Sequence, residues 1–289
     1  KMYAINNIGK HAKSGFDLCP TTSCQVYKGY SAEVPECNKA IDEVKDKIIT
    51  YNGEPAKQIF YFASSGGRTE DVRNVWGSSY PYLVSVEDKY EKIYTWTKTL
   101  SAEDVKARIP QLGNILGISI TKTAESGRVT QLAVRGEKSS EPAIYNLEKT
   151  RTIFGLNSQL YTITTDADVY MATLAYSPTV TAGASADIKA GAGEKETTIS
   201  PPVKAQFGGK VVITASGKAT LKGSGKKVTI LGADGKTNKV PLTPETYTFT
   251  GKGWGHAVGM SQEGAIGMAK AGFKFDEILT HYFQGTKIE

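Results

Sequence analysis

The sequence predicts an α+β fold, a mixture of helices and antiparallel strands with an inserted β-rich module. Apolar residues recur at helical spacing in some segments and alternate in others. The 289 residues are 39% hydrophobic and 22% charged, near globular averages, which excludes a disordered tail or a collagen-like repeat. Residues 183–240 have a composition of their own: ten lysines against four acids, the same surplus as the +6 of the whole chain, and ten of the 30 glycines. Between Ser177 and Thr246 the only aromatic residue is Phe207. The expected organisation is one domain in two parts, 1–165 and 246–289, with 166–245 as a basic, Gly/Lys-rich β insert. No run approaches the length that spans a bilayer, so neither a membrane helix nor a signal peptide is expected within the chain. The chain opens on Lys1 and reads as a mature or truncated piece.

The elements follow in order. Pro35 to Thr50 carries Ile41, Val44 and Ile48 on one apolar helical face, with a strand to follow. Asn52-Gly53 and Pro55 signal a turn before Gln58-Ile-Phe-Tyr-Phe-Ala63, an aromatic strand. Ser101-Ala-Glu-Asp104 is an acidic capping box opening a helix to Ile109, which Pro110 ends. Alternating segments around Ile118 to Ile120 and Val129 to Val134 predict strands. Ser261 caps a helix through Ala271 with Gly272 as its stop, and Asp276 caps another carrying Ile278, Leu279 and Tyr282. Inside the insert, Val211 to Thr214, Ala219 to Leu221 and Val228 to Leu231 are short strands separated by Ser-Gly, Gly-Ser-Gly and Asp-Gly turns. A lysine-studded β surface attracts anionic polymers, and it equally suits a merely solvated face. Nucleic acid is not expected, because the insert lacks aromatic residues on which bases stack.

Three constellations can carry chemistry. Ala63-Ser64-Ser65-Gly66-Gly67-Arg68-Thr69 follows a strand and combines hydroxyls with a flexible backbone. It suits close approach of a polar ligand or a tight turn alone, and no His and acid accompany Ser64 or Ser65 to mark a nucleophile. Gly251-Lys-Gly-Trp254-Gly255-His256-Ala-Val-Gly-Met-Ser261-Gln262 places an indole and an imidazole before a helix. Together they suit a sugar ring; alternatively Trp254 is core and His256 a satisfied hydrogen-bonder. His11, Cys19 and Cys24 fall within fourteen residues and can hold a zinc ion, though a structural site needs a fourth ligand. A Cys19 to Cys24 disulfide and free buried thiols are the alternatives, and Cys37 reads as a small buried apolar residue.

These loops assemble into a resemblance. Tyr61-Phe-Ala-Ser-Ser-Gly-Gly-Arg-Thr69, Val75-Trp76, Pro81-Tyr82-Leu83, Gly253-Trp-Gly-His-Ala-Val-Gly-Met-Ser-Gln262 and Ile278-Leu-Thr-His-Tyr-Phe283 resemble, in order, the SpoIID/LytB family of stage II sporulation protein D and amidase enhancers. The likeness runs from about Tyr3 to Thr286 and is interrupted by the insert. It implies peptidoglycan glycan strands as substrate and, for the sporulation branch, lytic transglycosylase activity on strands stripped of stem peptides. One carboxylic acid would protonate the glycosidic oxygen between N-acetylmuramic acid and N-acetylglucosamine, then act as base while the muramic C6 hydroxyl closes onto C1 to give a 1,6-anhydro end. A raised pKa would suit that acid. The resemblance further implies a cell-wall amidase as partner and an extracytoplasmic location, while the lysines of the insert suit an anionic wall polymer. No cofactor is required, with zinc as the one candidate.

Two groups of residues take roles from this likeness. Ser64, Ser65, Gly66, Gly67, Thr69, Tyr82, Trp254, Gly255, His256, Ser261 and Gln262 would line or support the glycan cleft. Lys1-Met-Tyr3-Ala4 resembles the tail of the segment that follows the family's catalytic Glu, so that Glu is expected upstream of Lys1. A corollary is exposed apolar surface, hence poor solubility or dimerisation. Glu70, Glu87, Asp88 and Glu263 are substitutes near the motifs, read as surface or capping carboxylates. Two departures stand out. Ser23 occupies the position before Cys24 where relatives carry His, and Ala257 a position where relatives carry Gly, costing roughly 1 kcal/mol if its φ is positive. A non-catalytic wall-binding or amidase-enhancing protein is the second reading. A metal-dependent hydrolase using His11, Cys19 and Cys24 is the third.

Overall fold

The computed structural model describes residues 1–21, 23–24, 26–167 and 243–289, and between them the strands Val169–Met171, Leu174–Tyr176, Thr197–Ile199, Val203–Ala205, Val211–Thr214, Gly217–Thr220, Lys227–Leu231 and Thr237–Pro241. Helices and mostly antiparallel sheets alternate along the chain, an α+β architecture. Two apolar cores organise the described residues.

The first core lies under two sheets. Thr246–Lys252 is the centre of one, flanked antiparallel by Thr95–Ser101 and Tyr161–Thr165. The other is a meander of Ile115–Thr123, Val129–Gly136 and Ala143–Asn146. Strand alternation buries Trp96 and Leu100 from one strand and Tyr247 and Phe249 from its neighbour, against Val129, Leu132 and Val134. Helix Ala102–Arg108 closes this half, its amides taken by the expected box: Ser101 Oγ accepts from Asp104 N, and the Asp104 carboxylate from Ser101 N.

The second core joins the two ends of the sequence. Met2, Ile49, Val72, Val75 and Leu83 pack with Val258, Met268, Ile278, Tyr282 and Phe283. Strand Ile49–Tyr51 pairs antiparallel with both Glu54–Pro55 and Lys287–Ile288. The helix and following strand expected over Pro35 to Thr50 are both present, but the helical face stops short of Val44 and Ile48. The helix is Pro35–Glu43, and Ile48 instead exchanges backbone hydrogen bonds with Glu289 at 2.6 and 2.9 Å. The apolar spacing belonged to two elements, and helix Pro35–Glu43 buries none of its residues. Ile41 and Cys37 are therefore exposed, so Cys37 is not the buried residue expected. The strand expected over 58–63 shrinks to Tyr61–Phe62, because Tyr82 Oη accepts the Lys57 and Gln58 amides. Helix Phe275–Tyr282 is capped at Lys274, which places Asp276 in its first turn and not at the cap.

The chain leaves the central sheet at Thr165 and returns at Thr246, with Tyr247 directly opposite Thr165. Asp166 Oδ1 accepts from the amides of Glu245 and Thr246 at 2.9 and 3.1 Å and ties the two crossings together. Between them Val211–Thr214 pairs with Gly217–Thr220, and Lys227–Leu231 with Thr237–Pro241, both antiparallel. The expected Leu221, the Gly-Ser-Gly turn and the Asp-Gly turn lie outside the described residues.

Candidate functional site

The two glycine loops, almost two hundred residues apart in sequence, are one structure. Ser64 and Trp254 form an antiparallel bridge, exchanging backbone hydrogen bonds of 3.1 and 2.7 Å. A few residues on, Tyr61–Phe62 runs parallel to Met260–Ser261. Gly253 permits the approach: its φ is 79°, and a Cβ there would sit 2.8 Å from Ser64 O. Ala257 holds φ at 66°, the strained position suspected from its sequence context.

A carboxylate the sequence did not single out holds these loops. Glu91 is 8% exposed and accepts five hydrogen bonds. Its Oε1 takes Ser64 Oγ at 2.9 Å and the Gly66 amide at 2.6 Å. Its Oε2 takes the Ser65 amide at 2.6 Å, Ser65 Oγ at 2.8 Å and Ser261 Oγ at 2.9 Å. Ser261 at the same time caps helix Gln262–Lys270 by accepting from Gly264 N at 3.1 Å. Burial alone would push the Glu91 carboxyl up, but these donors together with Asp88 hold it below the usual range.

Asp88 is the partner. Its Oδ1 accepts from Tyr282 Oη at 2.8 Å, and its Oδ2 is buried without a protein donor. Burial, the largest influence, raises its pKa; the Tyr282 hydroxyl opposes this and Glu91 adds to it. The two shifts run in opposite directions, Asp88 toward its protonated form and Glu91 toward its charged form, as expected of neighbouring carboxyl groups of which only one carries many donors. Helix Gln262–Lys270 lies over the pair at Gly264, where a Cβ would meet Tyr282 Oη at 2.0 Å and Asp88 Oδ1 at 2.1 Å.

The opposite side of the first loop rests on Arg128, also missed from sequence. Its side chain is 1% exposed, donates to the carbonyls of Ser65 and, at 2.8 Å, Arg68, and lies 4.0 Å from Glu70. Burial lowers the Arg128 pKa to about 10, against the pull of Glu70 and Glu91. Glu70 and Asp88 are accordingly buried carboxylates rather than the surface or capping groups expected, while Glu87 and Glu263 do lie at the surface.

The expected cleft residues therefore divide. Ser64, Ser65 and Ser261 bury their hydroxyls against Glu91. Thr69 Oγ1 is turned to the backbone of the 84–86 strip and Tyr82 Oη to Lys57 and Gln58, so these five support the loops from within. His256 sits among Phe60, Phe62 and Trp76, with ring centroids 6.1, 5.5 and 4.8 Å away, and Nδ1 accepts from Val258 N at 3.1 Å. Burial lowers its pKa to about 4, with Glu148 opposing and Arg151 assisting, so the ring is a neutral hydrogen-bonder. Trp254 is not core. It is 51% exposed and meets the Tyr94 ring at 5.2 Å, tilted by 42°, and Gln262 is exposed at the start of the helix. Gly66, Gly67 and Gly255 complete the partly open rim.

Near the N-terminus the donor atoms of His11, Cys19 and Cys24 all lie within 4.8 Å of one another, with His11 Nε2 3.2 Å from Cys24 Sγ. Tetrahedral zinc holds its ligands about 3.5 Å from one another, so these three fit three of its four positions. Both thiols are acidified: Cys19 chiefly by the Thr21 hydroxyl, Cys24 chiefly by a backbone hydrogen bond with Cys19, with Lys10 contributing. Thiolates are the zinc-binding form. The cysteines are free in this structure.

Known proteins are similar to this chain along nearly its whole length. Residues 1–51 match the family model described as SpoIID, stage II sporulation protein. The chain is 29% identical over 285 residues to the amidase enhancer of Bacillus subtilis, covering 96% of this chain and 36% of that protein. It is 25% identical over 300 residues to stage II sporulation protein D of B. subtilis and 24% over 302 residues to that of Bacillus amyloliquefaciens, covering 98% of this chain and 63% of each relative. The chain thus spans about a third of one relative and under two thirds of the others. With the two glycine motifs brought together at the Ser64–Trp254 bridge, the chain is similar to the SpoIID/LytB family, whose model its first 51 residues match.

Proposed function

We propose that this chain is the glycan-engaging part of a peptidoglycan lytic transglycosylase that cuts peptide-stripped strands to 1,6-anhydro products, outside the cytoplasm. The observation that carries the reading is the exposed Trp254, fixed over a floor of buried hydrogen bonds where both glycine motifs meet. A catalytic acid has to reach the glycosidic oxygen with its proton. Glu70, Asp88 and Glu91 are closed in by internal partners, and the proposal follows the resemblance of Lys1 to Ala4 in taking the acid as the family's Glu that precedes this segment. In the proposed step that acid protonates the departing glycosidic oxygen as the C1–O bond breaks. The muramic C6 hydroxyl oxygen then bonds C1 and returns its proton to the same carboxylate. The residues of this chain would bind and orient the strand.

His11, Cys19 and Cys24 would hold a structural zinc, and the 166–245 insert an anionic wall polymer, with a wall amidase as partner. A second reading has its own support. The relative named amidase enhancer is 29% identical to this chain, against 25% for stage II sporulation protein D, which supports a wall-binding protein that enhances an amidase and cleaves nothing itself.

One experiment separates them. Peptide-free glycan strands are incubated with this chain and with a version extended upstream through the Glu-bearing helix, and anhydromuramic ends are sought by mass spectrometry. Ends made only by the extended protein support the transglycosylase. Ends made by this chain would return Glu70, Glu87, Asp88 and Glu263 to candidacy, and binding by both without cutting favours the enhancer.

A further inference from the structure

The segment 90–94 forms a wall of the site that no motif announced. Glu91 plugs it into the first glycine loop, while Tyr90, Ile93 and Tyr94 on either side remain exposed. The Tyr94 and Trp254 rings meet at 5.2 Å with their planes tilted by 42°, and 39% and 51% of their surfaces are open to solvent. Their backbones are fixed: Gly253 N donates to Tyr94 O at 2.7 Å, and Trp254 is bridged to Ser64. Ile93 lies against Gly67, 3.7 Å from where a Cβ would stand, so the rim beside the rings is backbone without a side chain. Neither the Tyr94 hydroxyl nor the Trp254 indole N–H has a hydrogen-bond partner among the described residues.

An apolar face edged by two free hydrogen-bonding tips matches a pyranose, whose axial C–H groups are apolar and whose rim carries hydroxyls and, in an amino sugar, an acetamido group. A protein partner needs about 800 Å² on each side, far more than two rings and an isoleucine supply. We propose that Tyr94 and Trp254 form a stacking platform for one N-acetylhexosamine ring. The identity of the sugar rests on the proposed function; the platform rests on the geometry.

The probe is a β-1,4-linked N-acetylglucosamine tetramer titrated into this chain, followed by calorimetry and tryptophan fluorescence. Trp96 is buried at 7% exposure, which leaves Trp254 as the most open of the three indoles to report contact. Tyr94→Ala and Trp254→Ala are each expected to weaken binding about tenfold, the factor that 1.4 kcal/mol represents. Tyr94→Phe keeps the ring and should lose less than about threefold. Thermal unfolding confirms each variant is folded; if Trp254→Ala is not, Trp254→Phe, which retains a smaller ring, should bind between wild type and Tyr94→Ala. Variants that bind as tightly as wild type overturn the platform, as does a wild-type chain that binds neither the tetramer nor peptide-free strands, or one whose Trp254 is shielded by a wall amidase and by no saccharide. An extended protein that fails to cut while this chain still loses tetramer binding on Tyr94→Ala sinks the transglycosylase reading and leaves the platform standing.

Discussion

The neutral His256 makes stability depend on pH. Its pKa falls from 6.5 to about 4 because the ring is buried among Phe60, Phe62 and Trp76. A depressed folded pKa means the unfolded chain binds more protons between these values, so stability is complete above 6.5 and lost as pH falls toward 4. The full difference is about 3 kcal/mol, of which about 2 kcal/mol disappears between pH 7 and pH 5. His256→Asn cannot ionise, and its amide oxygen can accept from Val258 N in place of Nδ1. Urea unfolding at pH 7 and pH 5 would be compared for the two proteins. Wild type should lose about 2 kcal/mol more than the variant. The subtraction matters because Asp88 acts with the opposite sign. Its raised pKa contributes stability at low pH that is lost as pH rises, equally in both proteins. Equal pH dependence in wild type and variant would show that the imidazole is solvated and the burial account wrong.

Glu91→Gln replaces an acceptor of five hydrogen bonds by a group whose NH2 faces donors, and should cost about 2 kcal/mol or more by urea unfolding; a change under about 0.5 kcal/mol would remove Glu91 as the anchor of the loops. Gly264→Ala drives a methyl into Tyr282 and Asp88 and is expected to lower stability by about 3 kcal/mol, against about 1 kcal/mol for Gly272→Ala, whose added Cβ meets nothing within 4 Å but whose φ is 94°. If the two cost the same, close packing over the acid pair is not what selects glycine at 264. Metal analysis of protein purified without added zinc should find about one zinc per chain, lost in Cys24→Ser; full occupancy in that variant would place the metal elsewhere.

What the sequence made legible was local or repeated. The Ser101 to Asp104 box and the alternation of Val129 to Val134 each rest on neighbours along the chain, and each appears where expected. The apolar period of Pro35 to Thr50 shows the limit of that reasoning, since a spacing of three and four fits one helix or a short helix running into a strand. Pairing with Lys287–Ile288 at the far end decided between them. Glu91 was invisible for a related reason. It stands in a run, Glu87-Asp88-Lys89-Tyr90-Glu91-Lys92, that reads as a solvated charged face, and its partners are 27 residues back and 170 residues ahead.

One signal for Glu91 was nonetheless present. Ser64, Ser65 and Ser261 are small hydroxyl residues in motifs whose glycines bring backbones close, and buried hydroxyls and amides need an acceptor. An acceptor with two oxygens and a full charge satisfies several donors at once, and it does so best when a neighbouring acid stays protonated, so that two like charges are not buried side by side. The Asp88 and Glu91 pair meets both requirements. The glycan-facing surface then follows as a by-product of the same anchor. Burying Glu91 under the first loop leaves Ile93 and Tyr94 at its rim, where the bridge from Ser64 sets Trp254 against them.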